Sequence, residues 1–289
     1  MTETYLAGNK ALMATELPPP GPSGPVPPTG RRINLRGMEI DCVTEQAAVD
    51  FIVNAISVGR GGWVITPNLD QLRQFCQQPA LRAMYGQADL VLPDGMPLVW
   101  ASRLQRTPLV QRVPGSSVIF TLTQAAAQHQ FSIFLLGGKP GAAETAAKKL
   151  LEGCPGIRIA GTLCPPMGFE QDPAQMTAIR NALTAAQPDI VYVGLGFPKQ
   201  ERLIMQMRTA APAAWFLGVG ISISFVAGDV ARAPAWMQRA GLEWLHRMIQ
   251  EPGRLLRRYA VDDLPFALRL LGACAVRGCS VGARKNAGP

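Results

Sequence analysis

The chain is poor in the residues that build metal sites and disulfide frameworks. Its 289 residues include only two histidines, His129 and His246, and six cysteines that form no CxxC pair. A zinc site needs several such ligands at close spacing, so the sequence argues against one. Scattered thiols fit a reducing compartment better than a set of disulfides. We therefore expect a cytoplasmic protein.

Long apolar runs are missing as well. No stretch of about 20 apolar residues occurs, which is the length that a membrane-spanning helix needs. The first 20 residues also lack the apolar segment of a secretory leader. Instead the start of the chain contains "LPPPGPSGPVPPTG", in which each proline removes a backbone donor and fixes φ. We predict a disordered tether over residues 1–31.

What the chain does have is a regular alternation of apolar strands and helices. Hydrophobic residues make up 48% of it and charged residues 17%, enough apolar sequence for a large core. Runs such as "FSIFLLGG" and "DIVYVGLG" read as strands that are buried on both faces, and amphipathic helical segments lie between them. This pattern predicts an α/β fold: a Rossmann-like, mostly parallel sheet covered by helices on both faces. We place this core at residues 32–230.

The pattern changes after the core. Residues 231–275 contain no strand signal and read as a helical appendage that is rich in arginine and aromatic residues. We place a flexible tail at residues 276–289. The appendage has two readings: an ordinary packing element, or an interfacial element with apolar side chains in lipid and arginines at the headgroups.

Five polar or glycine-rich turns follow predicted strands. They are "TPN" (66–68), "PDG" (93–95), "GGKPG" (137–141), "GLGFPKQE" (194–201) and "GVG" (218–220). In a parallel α/β sheet the ligand binds outside the carboxyl ends of the strands. Glycines let the backbone approach a ligand closely, and helix N-termini favour phosphate. The turns predict a nucleotide or sugar-nucleotide pocket whose glycine contacts are Gly137, Gly138, Gly196, Gly218 and Gly220.

Asp94 lies in the second of these turns, where a buried strand gives way to a helix. Its apolar flanks predict desolvation, which raises the pKa of a carboxyl group and suits it to act as a general base. The alternative is structural, because aspartate is a favoured N-cap and a helix begins directly afterwards. The local sequence leaves both readings open.

The net charge of +8 has several explanations. A nucleic-acid binder would show its basic residues on one stripe within a recognised motif, and no such motif is visible. A nicotinamide-dependent oxidoreductase on a Rossmann-like core is a second alternative. It would need G-x-G-x-x-G after the first strand and an acidic residue about 20 positions later, and neither is in place. A phosphorylated substrate and an anionic membrane surface remain as explanations of the positive charge.

Taken in the order in which they occur along the chain, several motifs resemble those of the WecG/TagA/CpsF family of bacterial glycosyltransferases. The resemblance rests on "TPN", "ADLVLPDGMPLVWASR", "RVPGSS", "FLLGGKPG", "DIVYVGLGFPKQE", "GVG" and "RAPAWMQRAGLEWLHRMIQEPGRLLRRY". It implies an inverting enzyme that moves an N-acetylmannosamine-, uronic acid- or glucose-type sugar from a UDP-sugar to a polyprenyl-diphosphate-linked acceptor. It implies Asp94 as the catalytic base, with substrate contacts from Thr66, Asn68, Arg112 and Gln200. Pro67 departs from the small or polar residue common at that position.

The resemblance also bears on the appendage and on cofactors. It implies a tail that docks on the membrane and completes the active site, with Arg247, Arg254, Arg257 and Arg258 contacting lipid headgroups or the substrate diphosphate. Many UDP-sugar transferases hold a metal with a D-x-D motif, which this sequence lacks. We therefore expect no metal and no cofactor. The expected partners are the UDP-sugar, the lipid-linked acceptor and the anionic inner face of the cell membrane, with self-association possible and no nucleic acid.

Overall fold

The computed structural model describes residues 30–286, apart from the side chains of Arg239, Arg254 and residues 280–286. The predicted tether at 1–31 lies almost wholly outside the described residues. The first elements form a small antiparallel hairpin, β1 (Arg32–Leu35) and β2 (Met38–Asp41). The turn at Gly37 has φ of 94°, a conformation that favours glycine.

A six-stranded sheet forms the centre of the molecule. Its strands are β3 (Gly62–Ile65), β4 (Leu90–Val91), β5 (Ser132–Gly137), β6 (Arg158–Leu163), β7 (Ile190–Gly194) and β8 (Trp215–Gly218). They lie in the order β4-β3-β8-β7-β5-β6, and every neighbouring pair is parallel. The chain leaves β5 toward β6 and leaves the adjacent β7 in the opposite direction. Such a reversal opens a crevice at the carboxyl ends of the strands.

Helices cover both faces of this sheet. They are α1 (Glu45–Ser57), α2 (Leu69–Gln77), α3 (Pro79–Tyr85), α4 (Met96–Leu104), α5 (Gly115–Gln128), α6 (Ala142–Gly153), α7 (Pro173–Ala186), α8 (Lys199–Met207) and α9 (Ser222–Ala227), with a 3₁₀ turn at Phe169–Gln171.

Alternate side chains of each strand enter different cores. On β7, Val191 and Val193 join the cluster under the hairpin, α2 and α8, whereas Ile190 and Tyr192 join the cluster under α1, α5 and α6. All four are buried, which explains why the strands read as continuous apolar runs. The predicted α/β class, with a parallel sheet covered on both faces, is confirmed.

The appendage is entirely helical. It contains α10 (Ala235–Ala240), α11 (Glu243–Gln250), α12 (Pro252–Arg257), a π-helical turn (Arg258–Asp263) and α13 (Leu264–Asn286). Helix α13 packs along α4 and buries Leu270 and Cys274 in the hairpin-side core. It continues past residue 275, where the sequence suggested that a flexible tail begins. Within residues 30–286, no helix combines the length and hydropathy required to cross a bilayer.

Candidate active site

A cavity of about 680 Å³ opens at the carboxyl edge of the sheet. Its floor consists of the turns after β3, β4, β5, β7 and β8, and the appendage forms the opposite wall. The fold therefore brings together most of the residues that the sequence suggested. Those that line the cavity are Thr66, Asn68, Asp94, Arg112, Gly138, Gly196, Gln200, Gly218, Gly220, Arg247 and Arg258.

Asp94 is held by backbone hydrogen bonds. The pairing of β3 with β4 continues beyond the regular strands, because Leu92 N donates to Ile65 O at 2.9 Å and Asp94 N donates to Pro67 O at 2.8 Å. Gly95 follows with φ of 131° and is the N-cap of α4, which has no side-chain capping bond. Asp94 is therefore not the cap of this helix, and its carboxylate faces the cavity.

The surroundings of Asp94 raise its pKa to about 6, with burial as the main cause. Arg112, Arg247 and Arg232 oppose this rise by favouring the charged form, and Glu243 adds to it. A carboxyl group with this pKa is mostly ionised at pH 7 and binds a proton more strongly than an exposed aspartate does. These are the properties of a general base.

The first turn is built around Thr66 and Asn68. The Asn68 Oδ1 accepts from Gln71 N at 3.1 Å and begins α2, so half of this amide is committed to a helix cap. The Thr66 hydroxyl donates weakly to Gly218 O at 3.4 Å. Pro67 supplies the carbonyl that accepts from the backbone N–H of Asp94. This turn thus connects β8, β3 and Asp94.

Gln200 lines the cavity floor at the start of α8 and is almost fully buried. Its Oε1 accepts from Gly220 N at 3.1 Å, and its Nε2 donates to the buried Glu201 Oε1 at 2.9 Å. A Cβ at Gly218 would lie 2.5 Å from Gln200 Nε2, so this glycine makes room for the amide. Burial raises the pKa of Glu201 to about 7.

The two glycines after β5 play different roles. Gly138, with φ of 88°, lines the cavity. Gly137 does not, although the sequence suggested both as substrate contacts. A Cβ at Gly137 would lie 2.7 Å from Gly194 O, so glycine is needed here for the close approach of β5 to β7.

The arginines of the appendage separate into two groups. Arg247 and Arg258 line the cavity. Arg257 is exposed to solvent and does not line the cavity. The side chain of Arg254 is not among those that the structure describes. Of the four arginines suggested for lipid or diphosphate contact, two thus line the cavity.

Acidic residues of the site went unnoticed in the sequence. Glu243 of α11 pairs with Arg112 at 2.6 Å, although the two are 131 positions apart. Asp70 and Asp263 also line the cavity and pair with Arg258 at 3.9 Å and 3.5 Å. Burial and the nearby Asp70 raise the pKa of Asp263 to about 6. No spacing rule connects these residues, because only the folded chain brings them together.

Comparison with known proteins identifies the kind of enzyme. A parallel α/β sheet that presents a partly enclosed carboxylate to a cationic wall is suited to group transfer with an anionic leaving group. The protein is a glycosyltransferase. The chain belongs to the glycosyl transferase WecG/TagA/CpsF family, which it matches over residues 33–278. The alternative of a nicotinamide-dependent oxidoreductase is thereby excluded.

Two curated relatives illustrate the similarity. Both are named N-acetylglucosaminyldiphosphoundecaprenol N-acetyl-beta-D-mannosaminyltransferase. The one from Bacillus spizizenii is 31% identical over 209 residues, which cover 72% of this chain and 79% of the relative. The one from Bacillus subtilis is 36% identical over 184 residues, which cover 64% of this chain and 69% of the relative.

Proposed function

We propose that this enzyme transfers a sugar from a UDP-sugar to a saccharide carried on polyprenyl diphosphate, with inversion at the anomeric carbon. The observation that carries the proposal is Asp94, a partly enclosed carboxylate of raised pKa in a cavity that also contains Arg112, Arg247 and Arg258. The names of the two relatives support the class of acceptor.

The geometry suits a single displacement. Asp94 removes the proton from the acceptor hydroxyl as its oxygen attacks the anomeric carbon. The bond from that carbon to the diphosphate oxygen breaks, and UDP leaves with the electron pair. Attack opposite to the leaving group inverts the configuration. Cavity arginines stabilise the charge that develops on the diphosphate, because charge-assisted hydrogen bonds to phosphate are strong.

N-acetylmannosamine is the first choice for the transferred sugar, because both relatives are mannosaminyltransferases by name. The uronic acid and glucose types remain as alternatives. Gln200 is held in one orientation by Gly220 and Glu201. The second hydrogen of its side-chain amide therefore has a fixed direction and can donate to a hydroxyl or acetamido oxygen of the sugar. Such a transfer contributes to the synthesis of cell-surface polymers or exopolysaccharides.

The acceptor requires the enzyme to work at a membrane surface. Among the described residues, eight of the fifteen large apolar side chains that are exposed belong to the appendage: Trp236, Trp244, Ile249, Leu256, Val261, Leu264, Leu268 and Val276. Arginines lie beside them. Apolar insertion together with basic residues gives the two contributions that stable peripheral binding needs. We place the enzyme on the cytoplasmic face of the cell membrane.

A panel of UDP-sugars, each incubated with a short-chain lipid-diphosphate N-acetylglucosamine, tests this function. The expected result is one disaccharide product, seen by mass, together with released UDP. Proton NMR of the product should show an anomeric configuration opposite to that of the donor. Retention of configuration, or the absence of product with every donor, would contradict the proposal.

A further inference from the structure

Glu243 is an anion in a mostly cationic surrounding. It is the first residue of α11, its side chain is 15% exposed, and it lines the cavity. Its Oε2 lies 2.6 Å from Arg112 Nη1, and its Oε1 lies 3.5 Å from Arg232 Nε. One carboxylate thus pairs with two guanidinium groups, Arg112 from a loop of the core and Arg232 from the segment that leads into the appendage.

The two arginines are also anchored on their other sides. Arg112 Nη2 donates to Gln238 O at 3.0 Å. Arg232 Nη2 donates to Ser117 Oγ at 2.9 Å, and its guanidinium lies 5.6 Å from the centre of the Phe120 ring. Glu243 therefore closes a chain of contacts that fixes the orientation of both guanidinium groups, of which Arg112 lines the cavity and Arg232 does not.

These cations act on the base. The charged groups that face Asp94 are Arg112 and Arg232 from the loops, and Glu243 and Arg247 from α11. Each arginine stabilises the ionised carboxylate and so weakens it as a base, whereas Glu243 has the opposite effect. Three cations and one anion thus act on Asp94, and Glu243 is the anion.

We propose that Glu243 is a positioning residue of this active site: it holds Arg112 and Arg232 in fixed orientations near Asp94 and prevents their charge from weakening Asp94 as a base. The inference rests on the proposed role of Asp94 as the base. The appendage then contributes a charge balance to the site, in addition to the cations that it supplies. Removing the anion should make the site more cationic and the base weaker.

The test is the pH dependence of kcat/KM, which reports groups of the free enzyme. In the unaltered enzyme the rate should fall below about pH 6, as the Asp94 carboxylate is protonated. Glu243→Gln keeps the size of the side chain and removes its charge. We expect the acidic limb to move down by roughly 0.5 to 1 pH unit and kcat/KM at pH 7.5 to fall about tenfold.

Two further variants test the direction of the pH shift and provide a control. Arg232→Gln removes a cation that faces Asp94 and should move the limb to higher pH. Asp229→Asn makes the same change in net charge as Glu243→Gln at an exposed residue that does not line the cavity, and its limb should stay in place. Melting temperatures identify any variant that fails to fold.

The outcomes separate the two proposals. If Asp94→Asn is inactive and Glu243→Gln leaves the limb in place, then Glu243 acts only in packing and the inference is wrong, whatever happens to the rate. If Asp94→Asn retains its activity, then the proposed function loses its base and the inference is overturned with it. A limb that moves down in Glu243→Gln and up in Arg232→Gln supports the inference.

Discussion

The two walls of the cavity are built in different ways. On the sheet side, Asp94 and Gln200 are held by hydrogen bonds with the backbone of neighbouring turns. On the appendage side, helices of six to eight residues present Glu243, Arg247 and Arg258. Glu243 and Arg258 are held by ion pairs, whereas Nε of Arg247 is buried without a hydrogen-bond partner. Backbone bonds fix a position, whereas ion pairs can exchange one partner for another. The sheet thus fixes the position of Asp94, the proposed base, and the appendage supplies two of the cations that line the cavity, Arg247 and Arg258.

The largest expected effect is on the sheet wall. Asp94→Asn retains the shape of the side chain and removes its basicity, so kcat should fall by roughly 10²-fold or more. Asp89→Asn is the matched control. Burial also raises the pKa of Asp89, but its carboxylate accepts from Trp63 N at 2.8 Å and lies outside the cavity lining. Normal turnover by Asp94→Asn would end the assignment of the base.

The next effect concerns the cations of the appendage. Arg247→Ala removes a guanidinium from the cavity wall, and a lost charged hydrogen bond lowers kcat/KM by about 10- to 100-fold. Arg257→Ala, a change of the same kind at an exposed site outside the lining, should have little effect on a short-chain acceptor. Steady-state kinetics distinguish them, and equal losses would mean that the cavity does not select between arginines.

The outer surface of the appendage should affect membrane binding. Trp236, Ile249 and Leu256 are 63%, 69% and 55% exposed, and replacing all three by serine removes much of the area available for insertion. We expect roughly tenfold weaker binding to anionic vesicles in a sedimentation assay. Replacing Val58, Leu151 and Met167, which are exposed on the core, serves as control. Equal weakening by both sets would contradict a docking role for the appendage.

An effect on stability is also expected, and its sign depends on pH. Folding raises the pKa of Asp94 from 3.8 to about 6. The contribution of this group to stability is therefore complete below pH 3.8 and is lost as the pH rises through about 6. Asp94→Asn should increase the free energy of unfolding at pH 7.5 by up to about 3 kcal/mol.

Thermal melts at two pH values measure this difference. Near pH 4 the melting temperatures of Asp94→Asn and the unaltered protein should lie close together, and at pH 7.5 the variant should melt a few degrees higher. A variant that is less stable at pH 7.5 would show that the ionised carboxylate makes favourable contacts that outweigh its burial.

The smallest expected effect is that of chelation. We predict that the arginines of the two walls serve in place of a metal, so activity should be the same with and without EDTA. Loss of activity on chelation that magnesium or manganese restores would contradict this prediction. The vesicle assay should be repeated under the same conditions, since divalent ions also bridge proteins to anionic lipid.

Much of the sheet wall could be predicted from local patterns. The apolar run that ends at "PDG" placed Asp94 at the carboxyl end of a strand, and parallel strands bring such ends to one edge. Gly137 shows the limit of this reasoning, because the same pattern suits a glycine that contacts ligand and one that makes room for a neighbouring strand. Only the distance from its Cβ position to Gly194 O separates the two.

The appendage wall could not be predicted in the same way. The sequence indicated helices and a surplus of arginines, but adjacent residues such as Arg257 and Arg258 have different environments. The short helices are interrupted at Gly241 and at Glu251, so a helical period does not carry from one to the next. Each side chain's direction depends on how its helix packs against the core.

Neighbours along the chain were enough to predict the alternation of buried strands and helices, the position of Asp94 in a strand-end turn and the excess of positive charge. Folding was needed to bring Glu243 to Arg112 and Arg232, Asp70 and Asp263 to Arg258, and the carbonyl of Pro67 to the backbone N–H of Asp94. Coulomb interactions and desolvation depend on distances in space and not on separation along the chain. Residues far apart in the chain thus set the proton affinity of a carboxylate whose position was evident from a few letters.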